Sequence, residues 1–304
     1  MRIAVIINPI AGCGRRRPAG EARARLARDL AARAGVEADI EITRFAGHGA
    51  ELARAFVAAG HSVIAAWGGD GTVNDVAGSL IGSASALAII PSGSGNGLAR
   101  GLGLPARPDT ALSGALGADR TPLDVGYIGA RHFLNVAGLG FDAAVARRFS
   151  RSGRYGSISY GLHALAGLWS YRCAPYDLVL DGSRTSGRRF LIAFANSRQY
   201  GNGLVIAPDA DTRDGLLNAI VVNDGAAVTQ LWRARRLFVN RLAPAEGVRR
   251  LTVRTATVEG PVLAGHVDGE PFGASGRLDV RIEPGAITLA GVAAPRSRSA
   301  FQSA

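Results

Sequence analysis

The chain contains no lysine: all 35 of its Lys and Arg positions are arginine. That absence excludes a P-loop lysine, a Schiff-base lysine and a lysine general base. Cysteine is scarce, with only Cys13 and Cys173 far apart in sequence. A disulfide framework and a cysteine-built zinc site are therefore excluded. Long apolar runs are also missing. The most apolar-looking stretch, 158–171, contains Gly161, His163 and Gly167, and it falls short of the ~20 residues that a bilayer span needs. The apolar run 3–7 reaches Asn8-Pro9 too soon for a secretory h-region of about 7–15 residues. The expectation is a soluble protein, cytoplasmic and at most peripheral on the inner membrane face.

What is present is globular in composition. Of 304 residues, 47% are hydrophobic and 19% charged, so a sizeable core can be buried in one large domain or two ordinary ones. Thirty-five cations against 24 anions leave +11. Such an arginine excess favours phosphates and acidic lipid headgroups, or else serves solubility in lysine's place.

Strand and helix patterns alternate through the first 120 positions. Segments 3–7, 36–43, 61–67 and 84–90 read as strands; 18–34, 47–59, 73–80 and 98–102 read as helices. Repeated βα units predict a parallel sheet covered by helices. From Leu123 onward short strands dominate, among them 255–259, 262–267, 277–282 and 286–289, separated by turn dipeptides such as Asp181-Gly182 and Asp214-Gly215. Helical stretches are expected at 143–171 and 228–242. The predicted fold is α/β plus β, with an α/β domain over 1–122, a β-sandwich over 123–292 and a flexible tail over 293–304.

Three glycine-bearing loops follow the first, third and fourth predicted strands. They are Asn8-Pro9-Ile10-Ala11-Gly12-Cys13-Gly14, Gly68-Gly69-Asp70-Gly71-Thr72-Val73-Asn74 and Pro91-Ser92-Gly93-Ser94-Gly95-Asn96. A parallel sheet brings such loops to one edge, where ligands bind. Glycine lets backbone amides approach an anion, and a helix start adds its dipole.

These loops resemble the diacylglycerol kinase and sphingosine kinase catalytic-domain family. Gly68 to Thr72 with Asn74 looks like its nucleotide signature, and Asn8-Pro9 through Gly14 like its opening loop. Segment 91–100 looks like its Pro-x-Gly-[Thr/Ser]-x-Asn-x-x-Ala-Arg loop. Asn135 to Asp142 looks like its Asn-x-x-Gly-x-Gly-Phe-Asp segment, and Asp268-Gly269-Glu270 like its late motif. Gly97 stands where many diacylglycerol kinases carry Asp, closer to the sphingosine-kinase version. The resemblance runs from about position 3 to 289.

The resemblance implies a phosphofructokinase-like ATP domain, a β-sandwich closing over it, and lipid substrate between the two. Carried over residue by residue, the ATP contacts are Asn8, Pro9, Gly12, Gly14, Thr43, Gly68, Gly69, Asp70, Gly71, Thr72, Asn74, Gly93, Ser94 and Asn96. It also implies a structural Mg²⁺ at Asp211, Asp214 and Leu216, on a loop that otherwise reads as solvated and acidic. Diacylglycerol or a related lipid alcohol leads as substrate. A sphingoid base, an NAD kinase and a non-catalytic nucleotide- or membrane-binding module stand as alternatives.

Phosphoryl transfer needs a phosphate cradle, a divalent cation and an acceptor for the alcohol proton. Asp70 is assigned to Mg²⁺ or its water shell. Asp268 and Glu270 would share one face if extended, which suits proton transfer and metal placement, although Asp-Gly is also an ordinary hairpin turn. The choice of base stays open, with Glu270 favoured narrowly and Asp268 as its partner. His48 and His266 border these segments and read as structural. The Arg147, Arg148, Arg151 and Arg154 cluster reads as a membrane-facing surface or a solvated helix end. The expected partners are a lipid at an anionic membrane surface and a second copy in a homodimer, with no nucleic acid.

Overall fold

Strand β1 (Arg2–Ile7) is buried at every position after the first, as expected of a strand covered on both faces. In the computed structural model of the chain it lies between β2 (Glu37–Ile42) and β3 (Val63–Gly68), and β4 (Ala86–Pro91) follows β3, all parallel. The structure describes residues 1–12, 18–117, 119–152, 170–201, 203–226, 229–230 and 247–292. Cys13, Gly14, the tail 293–304 and most of the two expected helices at 143–171 and 228–242 lie outside them.

Period-2 alternation sorts this sheet's side chains onto two faces. Ala4, Ile6, Ile64, Ala66, Leu87 and Ile89 pack with α2 (His48–Ala58), α3 (Asp70–Leu80) and α4 (Gly97–Gly101). Ile3, Val5, Ile7, Val63, Ala65 and Trp67 pack with α1 (Pro18–Arg33) and α5 (Pro108–Ala115). Helix α1 turns Ala24, Ala27 and Ala31 inward at helical spacing, so this arginine-rich helix lies close to the sheet. Each fully buried Ile or Leu here contributes roughly 1.5–3 kcal/mol.

Beyond α5 the sheet becomes antiparallel. Strands β5 (Arg120–Ile128), β6 (Arg131–Phe133) and β7 (Val136–Gly140) precede α6 (Phe141–Ser152). Then come β8 (Ala174–Leu180), β9 (Ser183–Ala195), β10 (Gln199–Gly201), β11 (Leu204–Val205), β12 (Leu217–Asn223), β13 (Val248–Val253), β14 (Thr255–Val267) and β15 (Glu270–Ala290). Ile128, Phe133, Leu139, Leu178, Ile192, Phe194, Val258 and Val280 belong to the core of this portion.

Two pairs of expected short strands are each one long strand. Segments 255–259 and 262–267 join in β14, and 277–282 and 286–289 join in β15. The register slips between Gly260 and Leu263, and between Glu283 and Ile287, so the gaps between these segments, which hold Pro261 and Pro284-Gly285, are local irregularities in continuous strands. Strand β15 is antiparallel to β14 and β5, yet its end, Thr288 and Leu289, pairs in parallel with Ala86 and Leu87 of β4. Pro122 lies inside β5, whose partners are β15 and β6. Helix α5, begun by Pro108 at its first turn, has no counterpart in the periodicity reading.

Candidate active site

The three glycine loops meet backbone to backbone at the C-terminal edge of β1, β3 and β4. Gly12 has φ +74°, and a Cβ there would stand 1.9 Å from the Ser92 carbonyl oxygen. A Cβ on Gly93 would stand 2.6 Å from the Gly69 Cα. Ser92 N–H donates to the Gly68 carbonyl at 2.8 Å. Only glycine permits such close approach.

Side chains fix each loop's shape. Asn8 Nδ2 donates to Thr72 Oγ1 at 2.9 Å, and Asn8 Oδ1 accepts from the Ile10 amide. Arg23 of α1 donates to the carbonyls of Asn8 and Ala11 at 2.6 and 2.8 Å. Asn96, at φ 48°, accepts from the Gly93 amide and donates to the Gly93 carbonyl, closing the third loop on itself. Thr43 sits just past β2, its amide donating to the Ile7 carbonyl, and Ser94 is exposed on the third loop. Pro9 lies against Gly20 of α1.

Helix α3 begins at Asp70, three residues earlier than the sequence suggests, so Asp70 and Gly71 form its first turn. A Cβ on Gly71 would have one atom within 4 Å, Glu270 Oε1 at 3.8 Å. A side chain at position 71 would thus meet the Glu270 carboxylate at ordinary contact distance and nothing else outside its own helix turn. Burial, and then the Asp268 charge, push the Asp70 carboxyl up to about 6, while the amides of Leu98, Gly97 and Asn96 pull the other way.

Asp268 and Glu270 do not share an extended face. Asp268 (φ 48°) and Gly269 (φ 92°) form a two-residue hairpin turn, with Val267 paired to Glu270. The Asp268 carboxylate turns inward, accepting from the amides of Leu134, Asn135 and Val136 and from Asn74 Nδ2, all at 2.8–3.0 Å. Glu270 is exposed. Asn74 thus spends a donor on Asp268 and ties the second glycine loop to the late motif.

The Asp211, Asp214 and Leu216 set lies on its own loop after β11. Asp211 pairs with Arg213 at 3.1 Å, and the Leu216 amide donates to Asp214 Oδ1. Burial raises the Asp214 carboxyl, and Asp211 and Asp124 add to the rise. Among the described residues no three His, Cys, Asp or Glu side chains form a metal-holding cluster. Arg147 and Arg148 are exposed on α6. No helix among the described residues is long and apolar enough to cross a membrane.

Sequence reasoning missed three features. Arg23 had no local signal beyond an arginine-rich helix. Buried Asp124 accepts from the amides of Gly215 and Gly285, two turns far from it in sequence. His266 meets Asp142 across 124 positions, and the Gly-x-Gly-Phe-Asp motif was the only hint.

The diacylglycerol kinase catalytic domain matches residues 2–128, and the YegS C-terminal NAD kinase beta sandwich-like domain matches residues 135–291. The chain is similar to a protein of Chromohalobacter salexigens named "Probable lipid kinase YegS-like", 35% identical over 268 residues, 84% of this chain and 85% of that one. It is similar to a Mycobacterium tuberculosis diacylglycerol kinase, 32% identical over 279 residues and 88% of each chain. In fold it resembles a solved diacylglycerol kinase from Bacillus anthracis str. Sterne, with a TM-score of 0.74, 20% identity and 97% of both chains covered.

Proposed function

Because this chain belongs to the diacylglycerol kinase catalytic-domain family of lipid kinases, we propose that it moves the γ-phosphoryl group of ATP to a hydroxyl of diacylglycerol or a related lipid alcohol. The observation that carries this reading is the first turn of α3, where Asp70 and the side-chain-free Gly71 face the Glu270 carboxylate. Phosphates enter at the start of α3, where amides and the helix dipole favour anions.

A divalent cation would be held beside Asp70. Its carboxyl is raised by burial and by Asp268, the mark of two acids lacking a nearby positive charge. With no lysine in the chain, Mg²⁺ would supply the charge neutralisation that phosphoryl transfer needs. Asp70 would hold that ion, directly or through water. A second cation would be held by Asp214 with Asp211 and Leu216, as the family resemblance implies, once Asp211 leaves its pairing with Arg213.

Glu270 takes the alcohol proton as the acceptor oxygen bonds to the γ-phosphorus and the bond to the β-phosphate oxygen breaks. Asp268 is saturated by four donors, so it organises the turn. Positioned proton transfer typically contributes about 10²–10⁴-fold, and Glu270→Gln is expected to lose turnover by that order with ATP binding intact. Steady-state turnover beside calorimetric ATP titration checks this. A variant within about threefold of wild type would remove Glu270 from the base role.

A further inference from the structure

Behind the catalytic hairpin lies a buried polar network. His266, at the end of β14, is 2% exposed, and Asp142, in the first turn of α6, is 5% exposed. The Gly269 amide donates to His266 Nδ1 at 3.3 Å. An amide is a donor only, so Nδ1 is the acceptor and the neutral ring carries its proton on Nε2. That nitrogen faces Asp142 Oδ2 at 3.1 Å. Tyr200 Oη donates to the same oxygen at 3.0 Å, and the Ala143 amide donates to Asp142 Oδ1 at 2.8 Å.

Glycine makes the meeting possible. A Cβ on Gly138 would stand 1.9 Å from Asp142 Oδ2 and 2.7 Å from His266 Nε2. Tyr200 also reaches the other half of the site. Its carbonyl oxygen would lie 2.6 Å from a Cβ on Gly97, whose amide helps hold Asp70.

We infer that His266 is a positioning residue, bracing the Gly269 amide against Asp142 and Tyr200 so that Glu270 stands fixed over the phosphate cradle. The turn is otherwise held at Asp268, by its carboxylate and by its amide, which donates to the Val136 carbonyl at 2.9 Å. A two-residue turn carries Glu270 at its exit, so a small tilt of the turn moves the carboxylate relative to the acceptor hydroxyl. Misplacement of a reacting group by about 1 Å can cost ~10²-fold in rate. The inference rests on Glu270 as the base.

The experiment is a double-mutant cycle in the full chain, using a lipid acceptor that the wild type turns over. His266→Leu is expected to lower kcat by roughly ten- to a hundredfold while leaving KM for ATP within about twofold. His266→Asn, which returns an acceptor near the Nδ1 position, recovers part of the loss. In a Glu270→Gln background His266→Leu costs no more than about twofold further, because the group it positions is already gone. Losses that multiply in the double variant, or full kcat in His266→Leu beside a crippled Glu270→Gln, would overturn the brace. A Glu270→Gln enzyme that keeps its rate overturns the base reading itself, a different pattern, and the brace falls with it. Should His266→Leu not fold, Tyr200→Phe takes its place in the same cycle, with an expected loss of about three- to tenfold.

Discussion

Asp70 shows how a single side chain can work against the stability of the fold that carries it. Its carboxyl is pushed up to about 6 from an ordinary 3.8, chiefly by burial. An acid with a raised native pKa binds its proton more tightly folded than unfolded, so its ionisation costs stability. The cost is full above pH 6 and disappears as pH falls through 6 towards 4. At about 1.4 kcal/mol per unit, the ceiling is roughly 3 kcal/mol. Asp70→Asn is therefore expected to melt higher than wild type at pH 7.5 without ligand, to lose that advantage by about pH 4, and to lose metal-dependent turnover. Melting curves across that range check it, and identical curves at every pH would refute the electrostatic account. Mg²⁺ should raise the melting temperature of the wild type more than that of Asp70→Asn, because the ion removes the same penalty.

Among elements, glycines of one motif divide by task. Gly93 is packed against Gly69, so Gly93→Ala should destabilise the fold by about 1–3 kcal/mol through overpacking. Gly71 has only the Glu270 carboxylate near it, at ordinary contact distance, so Gly71→Val should keep the fold and lose ATP affinity at least about tenfold, the valine occupying the phosphate's place. Melting temperature and calorimetric ATP affinity, measured on both variants, separate the tasks; wild-type affinity in folded Gly71→Val would refute the second. The motifs were legible because they are local. So were the βα units, whose apolar runs need no partner to be recognised. The hairpin at Asp268 was half legible: Asp-Gly marks a turn, but the inward rotation of Asp268 comes from partners at positions 74 and 134–136. The His266–Asp142 contact was hinted at only on the Asp142 side, by its motif, since a lone buried histidine resembles any other. Strands β14 and β15 read as shorter pieces from the sequence, whereas the register slips carry Pro261 and Pro284-Gly285 within continuous strands.

At the scale of the whole molecule, the net charge of +11 and the exposed arginines of α6 suit an anionic surface. Arg147→Ala and Arg148→Ala are each expected to weaken binding to acidic phospholipid vesicles by roughly 1 kcal/mol, or about fivefold. Added salt should erode the wild-type affinity. Sedimentation with phosphatidylserine-containing and neutral vesicles tests this; binding indifferent to both lipid charge and salt would end the proposal. The return of β15 to β4 has a consequence for synthesis. Ala86 and Leu87 leave the ribosome early, while their neighbours Thr288 and Leu289 are among the last described residues to emerge. The parallel sheet therefore waits, with that edge of β4 unpaired, until synthesis has passed position 289. Folding of the first half is completed by the end of the second, and a nascent chain halted before position 286 would expose that edge to any strand that reached it first.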